Sequence, residues 1–323
     1  MKKIIIEALQ TLNIPFEEYV DLKRKTWIHR GGIAQIFISP RNATELEQIT
    51  RFLYRNNIDF FLFGHTSNLY IKNTRDLDVV VSTMKCNAMD VTDNCIVCEA
   101  GTSVIKLSHQ MIEYGIAGFE YLTELPGTVG AALVNNSSCK ENSISKLLLN
   151  AIVLFPDGCK RTLSPEDFYF SYRNSVFKSG ILKGTILTVT LKRLNGDAEV
   201  LKRIALDNRR ERVNRLGGHD KNLGCTVNKK ESSRGMGLKY FLPMQAIKLW
   251  GKIMNNDSLK TNRQINHTLC KLAHCRQVEP YISPYNPIVF IWRDEGADDA
   301  FPAYLSFMKK VYRIDTLEIQ VIE

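Results

Sequence analysis

Between Gly118 and Asn136 the chain reads GFEYLTELPGTVGAALVNN, a stretch whose residue types suit ligand contact. Gly127 follows Pro126, a pairing that favours a tight turn with backbone amides left available. Gly130, Ala131 and Ala132 keep side chains short, so a second backbone or a flat ligand can approach closely. Such a turn suits a phosphate or an aromatic ring system; it equally suits a loop crossing buried beneath a helix. A second polar turn, Gly64-His65-Thr66-Ser67-Asn68, offers hydroxyl and amide donors directly after the apolar run IDFFLFG. Two cysteine groupings are weaker signals. Cys95 and Cys98 form a C-x-x-C inside CIVCEAG, a stretch of strand composition with no second such pair in the chain. Cys270, His274 and Cys275 lack a nearby fourth ligand, so no metal is expected at either place.

The elements that must position these residues follow from pattern. Residues 1–12 read as an amphipathic helix. TWIHRGGIAQIFIS (26–39) reads as two short strands around Arg30-Gly31-Gly32, and Asn42 or Thr44 caps a helix over ATELEQITRFLYRNN. IDFFLFG is a buried strand delivering the polar turn, and LYI (69–71) continues extended. LDVVVS and NCIVCEAG read as strands, and SVIKLSHQMIEYG as a helix closed by Gly115. LLNAIVLFPDGCKRTL is a hairpin about Pro156-Asp157-Gly158. SPEDF starts a helix, and strand-like segments SYRNSVFKSG and TILTVTLKRL follow it. A basic helix spans 198–216 and ends at Gly217-Gly218. Beyond it, FLPMQAIKLWGKIMNN, INHTLCKLAHC and AFPAYLSFMKKVY are helical, PIVFIW is a buried strand, and LEIQVIE closes the chain as an alternating strand.

A length of 323 residues predicts more than one domain. No apolar run reaches the length of a membrane span. MKKIIIEALQ is interrupted by Glu7, which argues for a helix rather than a signal peptide and hence for a cytoplasmic protein. Eight cysteines in such a chain are expected to be free thiols. The net charge of +9 is concentrated over residues 201–222. A solvated helix face or a cradle for an anionic nucleotide explains it with fewer assumptions than nucleic-acid binding.

Four stretches together carry a resemblance: GHTSNLYI (64–71), AGTSVIKLSHQMIEYGIAGFEYLTELPGTVGAALVNN (100–136), FSYRNSVFK (170–178) and GCTVN (224–228). In that order and at those separations they resemble the UDP-N-acetylenolpyruvoylglucosamine reductases, the MurB family of peptidoglycan synthesis. The likeness is dense over about 23–193 and sparse through most of 229–285. It implies an α+β chain: an FAD-binding fold of the PCMH/VAO type in two α/β subdomains (1–80 and 81–196), a basic connecting helix (197–222) and a C-terminal α+β substrate-binding domain (223–323).

The resemblance also implies FAD as cofactor, NADPH or NADH as reductant and an enolpyruvyl UDP-sugar as substrate, with hydride passing from flavin N5. Gly64, His65, Thr66, Ser67, Asn68 and Leu69, with Pro126, Gly127, Thr128, Gly130, Ala131 and Asn135, then become the cofactor contacts. The family usually has further glycines where His65 and Thr66 stand. Arg173 occupies the position of the arginine that polarises the substrate carboxylate, a task suited to a permanently charged donor fork. Cys225 stands where the family commonly has a proton-donating serine, and a thiol with an ordinary pKa of ~8.5 is a competent acid. Glu318 matches the glutamate of the closing strand, with Gln320 as the alternative after a slip of register. Tyr172, Ser175, Asn228 and Lys229 are the implied substrate contacts. A flavoenzyme acting on another nucleotide sugar of surface-polysaccharide synthesis is the near alternative, and a non-catalytic flavin- or nucleotide-binding protein the distant one.

Overall fold

The computed structural model describes residues 1–216, 220–228 and 235–323. The chain divides into two compact units, and the division is not a single cut. The first comprises Met1–Arg24, Gly32–Thr66 and Asp76–Arg210; the second comprises Lys25–Gly31, Ser67–Arg75 and Glu211–Glu323. The expected turn Gly64–Asn68 therefore changes unit between Thr66 and Ser67.

The first unit holds two sheets. In a four-stranded mixed sheet the order is Phe16–Asp21, Ile33–Ile38, Leu77–Ser82, Phe61–Phe63. Leu77–Ser82 pairs in parallel on both sides and buries every residue but Asp78, as an interior parallel strand must. Helix Ala43–Arg55 packs on this sheet through Leu46, Ile49 and Leu53, at helical spacing. Asn42 caps it by accepting from the Glu45 amide at 2.9 Å, and Glu45 Oε2 accepts from the Arg41 amide. The second sheet is antiparallel, ordered Lys160–Leu163, Leu148–Leu154, Thr185–Lys192, Cys95–Glu99, Met89–Val91. Helices Val104–Glu113 and Val129–Val134 add to its core of leucine, valine and phenylalanine.

The second unit is built on helices Leu238–Ile253, Ser258–Ala273 and Gly296–Phe307 around an aromatic core. Tyr70, Phe290, Trp292, Phe301 and Tyr304 stack with ring centroids 4.3 to 6.4 Å apart. Asp298 fastens both early insertions to this core. It pairs with Arg30 Nε at 3.4 Å and accepts from the Tyr70 hydroxyl at 3.2 Å and from the Asn73 amide. Strand Leu69–Ile71 pairs in parallel with Gln320–Ile322.

Several local expectations need correction. Phe16–Asp21 is a strand that the amphipathic reading of the N-terminus passed over. TWIHRGG folds into a turn instead of a strand, because the buried Thr26 hydroxyl bonds both the amide and the carbonyl of Arg30. PIVFIW forms only isolated bridges, Ile282 with Phe290 and Asn222 with Ile291. Its apolar residues are buried among helices, a setting that composition cannot tell from a sheet interior. SYRNSVFKSG is a set of turns with one bridge, Ser171 with Asn174. The closing segment bends after Leu317, so the alternation that placed Glu318 and Gln320 on one face fails: Glu318 is buried and Gln320 exposed.

Candidate active site

In the first unit the short helix Val129–Val134 organises the candidate residues. Thr128 begins it, its hydroxyl accepting from the Ala131 amide at 3.4 Å. Gly64 lies against this start: a Cβ built there would stand 2.5 Å from Thr128 Oγ1 and 3.4 Å from Ala131 Cβ. The two turns that the sequence singled out thus meet at Gly64 and Thr128, 64 residues apart in the chain, with no room for a methyl group. Gly130 is buried, and its amide donates to Ala100 O at 2.9 Å, so its missing side chain serves protein packing. Pro126, Gly127 and Ala131 are half-buried at the surface of the same turn.

The far end of the helix, ~9 Å away for six residues, carries Arg173. Three bonds fasten the turn Ser171–Asn174 there. Asn136 Nδ2 donates to Ser171 O at 2.8 Å, Ser175 Oγ donates to Val134 O at 2.7 Å, and Arg173 Nη2 donates to Ser138 O at 2.9 Å. Within the turn Ser171 and Asn174 exchange both backbone bonds, at 3.1 and 3.2 Å. Arg173 takes φ +55° and Asn136 φ +42°, and Thr66 takes φ +55°. Left-handed backbone at residues other than glycine is held only where surroundings impose it, and it concentrates at functional sites. Ser175, expected among substrate contacts, is buried with its hydroxyl bonded to Val134 O and to the Lys178 amide. Tyr172 is exposed beside it. Asn135 donates to Ala131 O within its own helix. The Asn136 side chain, in contrast, is buried and its Oδ1 has no partner among the described residues. Packing, and not residue type, separates the two asparagines that close the stretch Gly118–Asn136. Burial holds the His65 imidazole below its ordinary pKa, so the ring stays neutral.

In the second unit Cys225 and Glu318 are brought together by Thr226. The Thr226 amide donates to Ile288 O at 2.8 Å, its hydroxyl accepts from the Phe290 amide at 3.0 Å, and its carbonyl accepts from the Glu318 amide at 2.9 Å. Asn228 donates to Thr316 O, and Val227 bridges Leu317, so residues 226–228 and 316–318 run antiparallel. Cys225 is half-buried against the aromatic core. Asn68 joins this group: its side-chain amide donates to Glu318 O at 3.4 Å and its carbonyl accepts from the Gln320 amide at 2.9 Å. Gln320 itself pairs with Leu69 and points to solvent. The register therefore sets Glu318, and not Gln320, beside the Cys225 segment. Lys229 and Gly217-Gly218 lie outside the described residues.

Neither cysteine grouping gathers ligands. Cys95 and Cys98 belong to one strand, three residues apart, which sends them to opposite faces. Burial pushes the thiols of Cys98 and Cys270 up to about 12. Among the described residues no three His, Cys, Asp or Glu side chains cluster as a metal site would require.

The site's residues are of types that suit a dinucleotide: small residues at a capped turn packed against Gly64, and a buried amide acceptor beside the Arg173 turn. The comparisons with known proteins agree. Residues 34–164 match the FAD binding domain family. The chain is 35% identical over 156 residues to UDP-N-acetylenolpyruvoylglucosamine reductase 2 of Bacillus cereus, covering 48% of this chain and 51% of that protein. It is 32% identical over 178 residues to UDP-N-acetylenolpyruvoylglucosamine reductase of Streptococcus agalactiae, covering 55% and 59%. The match thus spans about half the length of these curated relatives. Among solved structures, UDP-N-acetylenolpyruvylglucosamine reductase from Thermus caldophilus superimposes with a TM-score of 0.67 over 96% of this chain and all of that one, at 19% identity. Residues 34–164 thus form an FAD-binding domain, within an α+β chain whose fold is of the PCMH/VAO type with an α+β C-terminal part. Over the aligned half the chain is similar in sequence to UDP-N-acetylenolpyruvoylglucosamine reductases, and its likeness to the Thermus caldophilus structure is one of fold.

Proposed function

We propose that the protein is an FAD-dependent oxidoreductase that uses NADPH or NADH to reduce an enolpyruvyl UDP-sugar, turning UDP-N-acetylenolpyruvoylglucosamine into UDP-N-acetylmuramate in the cytoplasm. The observation that carries this reading is the helix Val129–Val134, with the Gly64–Thr128 cradle at one end and the Arg173 turn fastened at the other.

FAD, when bound, supplies the hydride chemistry that no side chain can. The chain's own part is positioning, charge and proton delivery. Residues of Gly64–Leu69 and of the turn at Pro126, Gly127 and Thr128 would hold the pyrophosphate of the cofactor, with the small Gly130 and Ala131 leaving room beside it. Asn136 Oδ1 accepts an N–H from the bound ligands. Arg173 pairs with the substrate carboxylate and stabilises the negative charge that develops when the enolpyruvyl double bond is reduced. Ser138 O accepts from Arg173 Nη2 and fixes the orientation of the guanidinium. Cys225 gives its proton to the carbanionic carbon, and Glu318 supports the same charge shift. Tyr172, Asn228 and Lys229 contact the sugar nucleotide, and the basic residues of 202–221 favour its diphosphate.

A second reading, reduction of a different nucleotide sugar, is favoured by one observation: the aligned relatives reach only about half of this chain. Anaerobic mixing separates the two. Protein bleached by NADPH should regain its flavin absorbance within seconds of receiving UDP-N-acetylenolpyruvoylglucosamine. Bleached protein that ignores this compound but responds to another member of a UDP-sugar panel would replace the first reading with the second. Protein that never bleaches would refute both.

A further inference from the structure

Helix Leu238–Ile253 carries apolar rows on two opposite sides, yet only one of them is packed. Tyr240, Met244 and Ile247 face the aromatic core of the C-terminal unit. The opposite side exposes Leu238, Leu242, Leu249 and Ile253, which recur at helical spacing and are 61 to 73% exposed. Phe241 and Trp250 flank this stripe, and Met254 extends it beyond the last turn. An apolar row along a helix is ordinarily buried. Single exposed apolar residues need no explanation, but a contiguous row of them on one helix does.

The charge around the stripe indicates what covers it. From Gly235 to Asn256 the chain carries Lys239, Lys248 and Lys252 and no acidic residue at all. All three lysines are exposed; Lys239 lies over the Tyr240 ring, 5.6 Å from its centroid, and long side chains of this kind can reach outward past an apolar row. A convex strip of Leu, Ile and Phe, an exposed Trp and a lysine fringe match the requirements of an interfacial helix on an anionic bilayer. A protein groove shaped to this strip would want some polar complement at its rim; within residues 235–256 the amide side chains are Gln245, Asn255 and Asn256, and there is no carboxylate. No helix of the described residues is long and apolar enough to cross a membrane, so the contact is peripheral.

We propose that helix Leu238–Ile253 docks this protein on anionic lipid surfaces, with Leu238, Leu242, Leu249, Trp250 and Ile253 entering the headgroup boundary and the lysines pairing with lipid phosphates. This does not depend on the reaction catalysed. The test uses the full-length flavoprotein and sedimentation with vesicles of phosphatidylcholine alone or mixed equally with phosphatidylglycerol. Binding at least ~10-fold tighter to the mixed vesicles is expected, weakening with added salt, with a blue shift of tryptophan emission that Trp250→Phe removes. A triple variant Leu242→Gln, Leu249→Gln, Ile253→Gln should lose binding while its circular dichroism and melting temperature stay near those of the parent. The reversal Lys239→Glu, Lys248→Glu, Lys252→Glu, which leaves the apolar row intact, should lose it too. Absence of binding to mixed vesicles, or binding that both folded variants retain, would overturn the proposal. So would a concentration-dependent dimer that the glutamine variant dissolves, because the stripe's occupant would then be a second copy of the chain.

Discussion

The two units of this protein secure their candidate residues by different means. In the FAD-binding unit Arg173, Ser175 and Asn136 are fixed by side-chain hydrogen bonds to backbone, all within a segment that includes one six-residue helix. In the C-terminal unit the backbone at Cys225 and Glu318 is set by Thr226, which is locked by backbone pairing to 288 and 318 and by its hydroxyl to Phe290. The first arrangement is local and leaves its residue types in the sequence as small residues, turn residues and amides. The second depends on an aromatic core assembled from segments more than two hundred residues apart, including Tyr70 and Phe301. Substitutions should therefore act on function more cleanly in the first unit, and on function and stability together in the second.

Arg173→Ala gives the sharpest contrast. The substrate half-reaction should slow by ~10²–10³-fold, the usual cost of removing one charge-stabilising donor, while FAD content and melting temperature stay near parental values. A loss of stability comparable with the loss of rate would erase the distinction between the units. Cys225→Ala should slow the same half-reaction by ~10²-fold or more and leave flavin reduction by NADPH unchanged; stopped-flow absorbance follows both, and equal parental rates would remove Cys225 from the chemistry. Gly64→Val places side-chain atoms where even a Cβ stands 2.5 Å from Thr128 Oγ1. FAD affinity should fall by ~10-fold or more, measured by fluorescence titration, with a stability loss of about 1–3 kcal/mol typical of overpacking. Unaltered affinity would mean that the cradle serves packing alone.

The smallest effect concerns pH. Burial lowers the His65 pKa below its ordinary value of 6.5, so the folded state prefers the neutral ring. The unfolded chain binds a proton more readily, and the associated stability is complete above pH ~6.5 and declines as pH falls toward the lowered value. Between pH 7.5 and 5.5 the melting temperature of His65→Gln should drop less than that of the parent. Parallel pH profiles would show that the imidazole titrates alike in both states.

The sequence made the first unit readable because its signals are short-range. Pro126-Gly127, the Thr128 cap and the small residues after it describe one turn and one helix, and the structure adds only that Gly64 completes it. Distances along the chain hid the rest. That Asn136, and not Asn135, is the buried amide with an open acceptor depends on a left-handed residue and on Ser171, 35 positions away. Arg173 looked strand-borne because Tyr172, Val176 and Phe177 favour strands, whereas a two-bond turn holds it. In the second unit, alternation along LEIQVIE misplaced Gln320 because the segment changes partners between Leu317 and Gln320, from residues 226–228 to residues 69–71. PIVFIW carried the apolar composition of an interior strand and is an interior segment of another kind.

Hydrogen–deuterium exchange of the protein with and without FAD tests the central claim, that one flavin site runs from Gly64 along Val129–Val134 to the Arg173 turn. Added FAD should slow exchange together in peptides covering 64–66, 127–136 and 171–175. Protection confined to another part of the molecule, with these three segments unchanged, would contradict it.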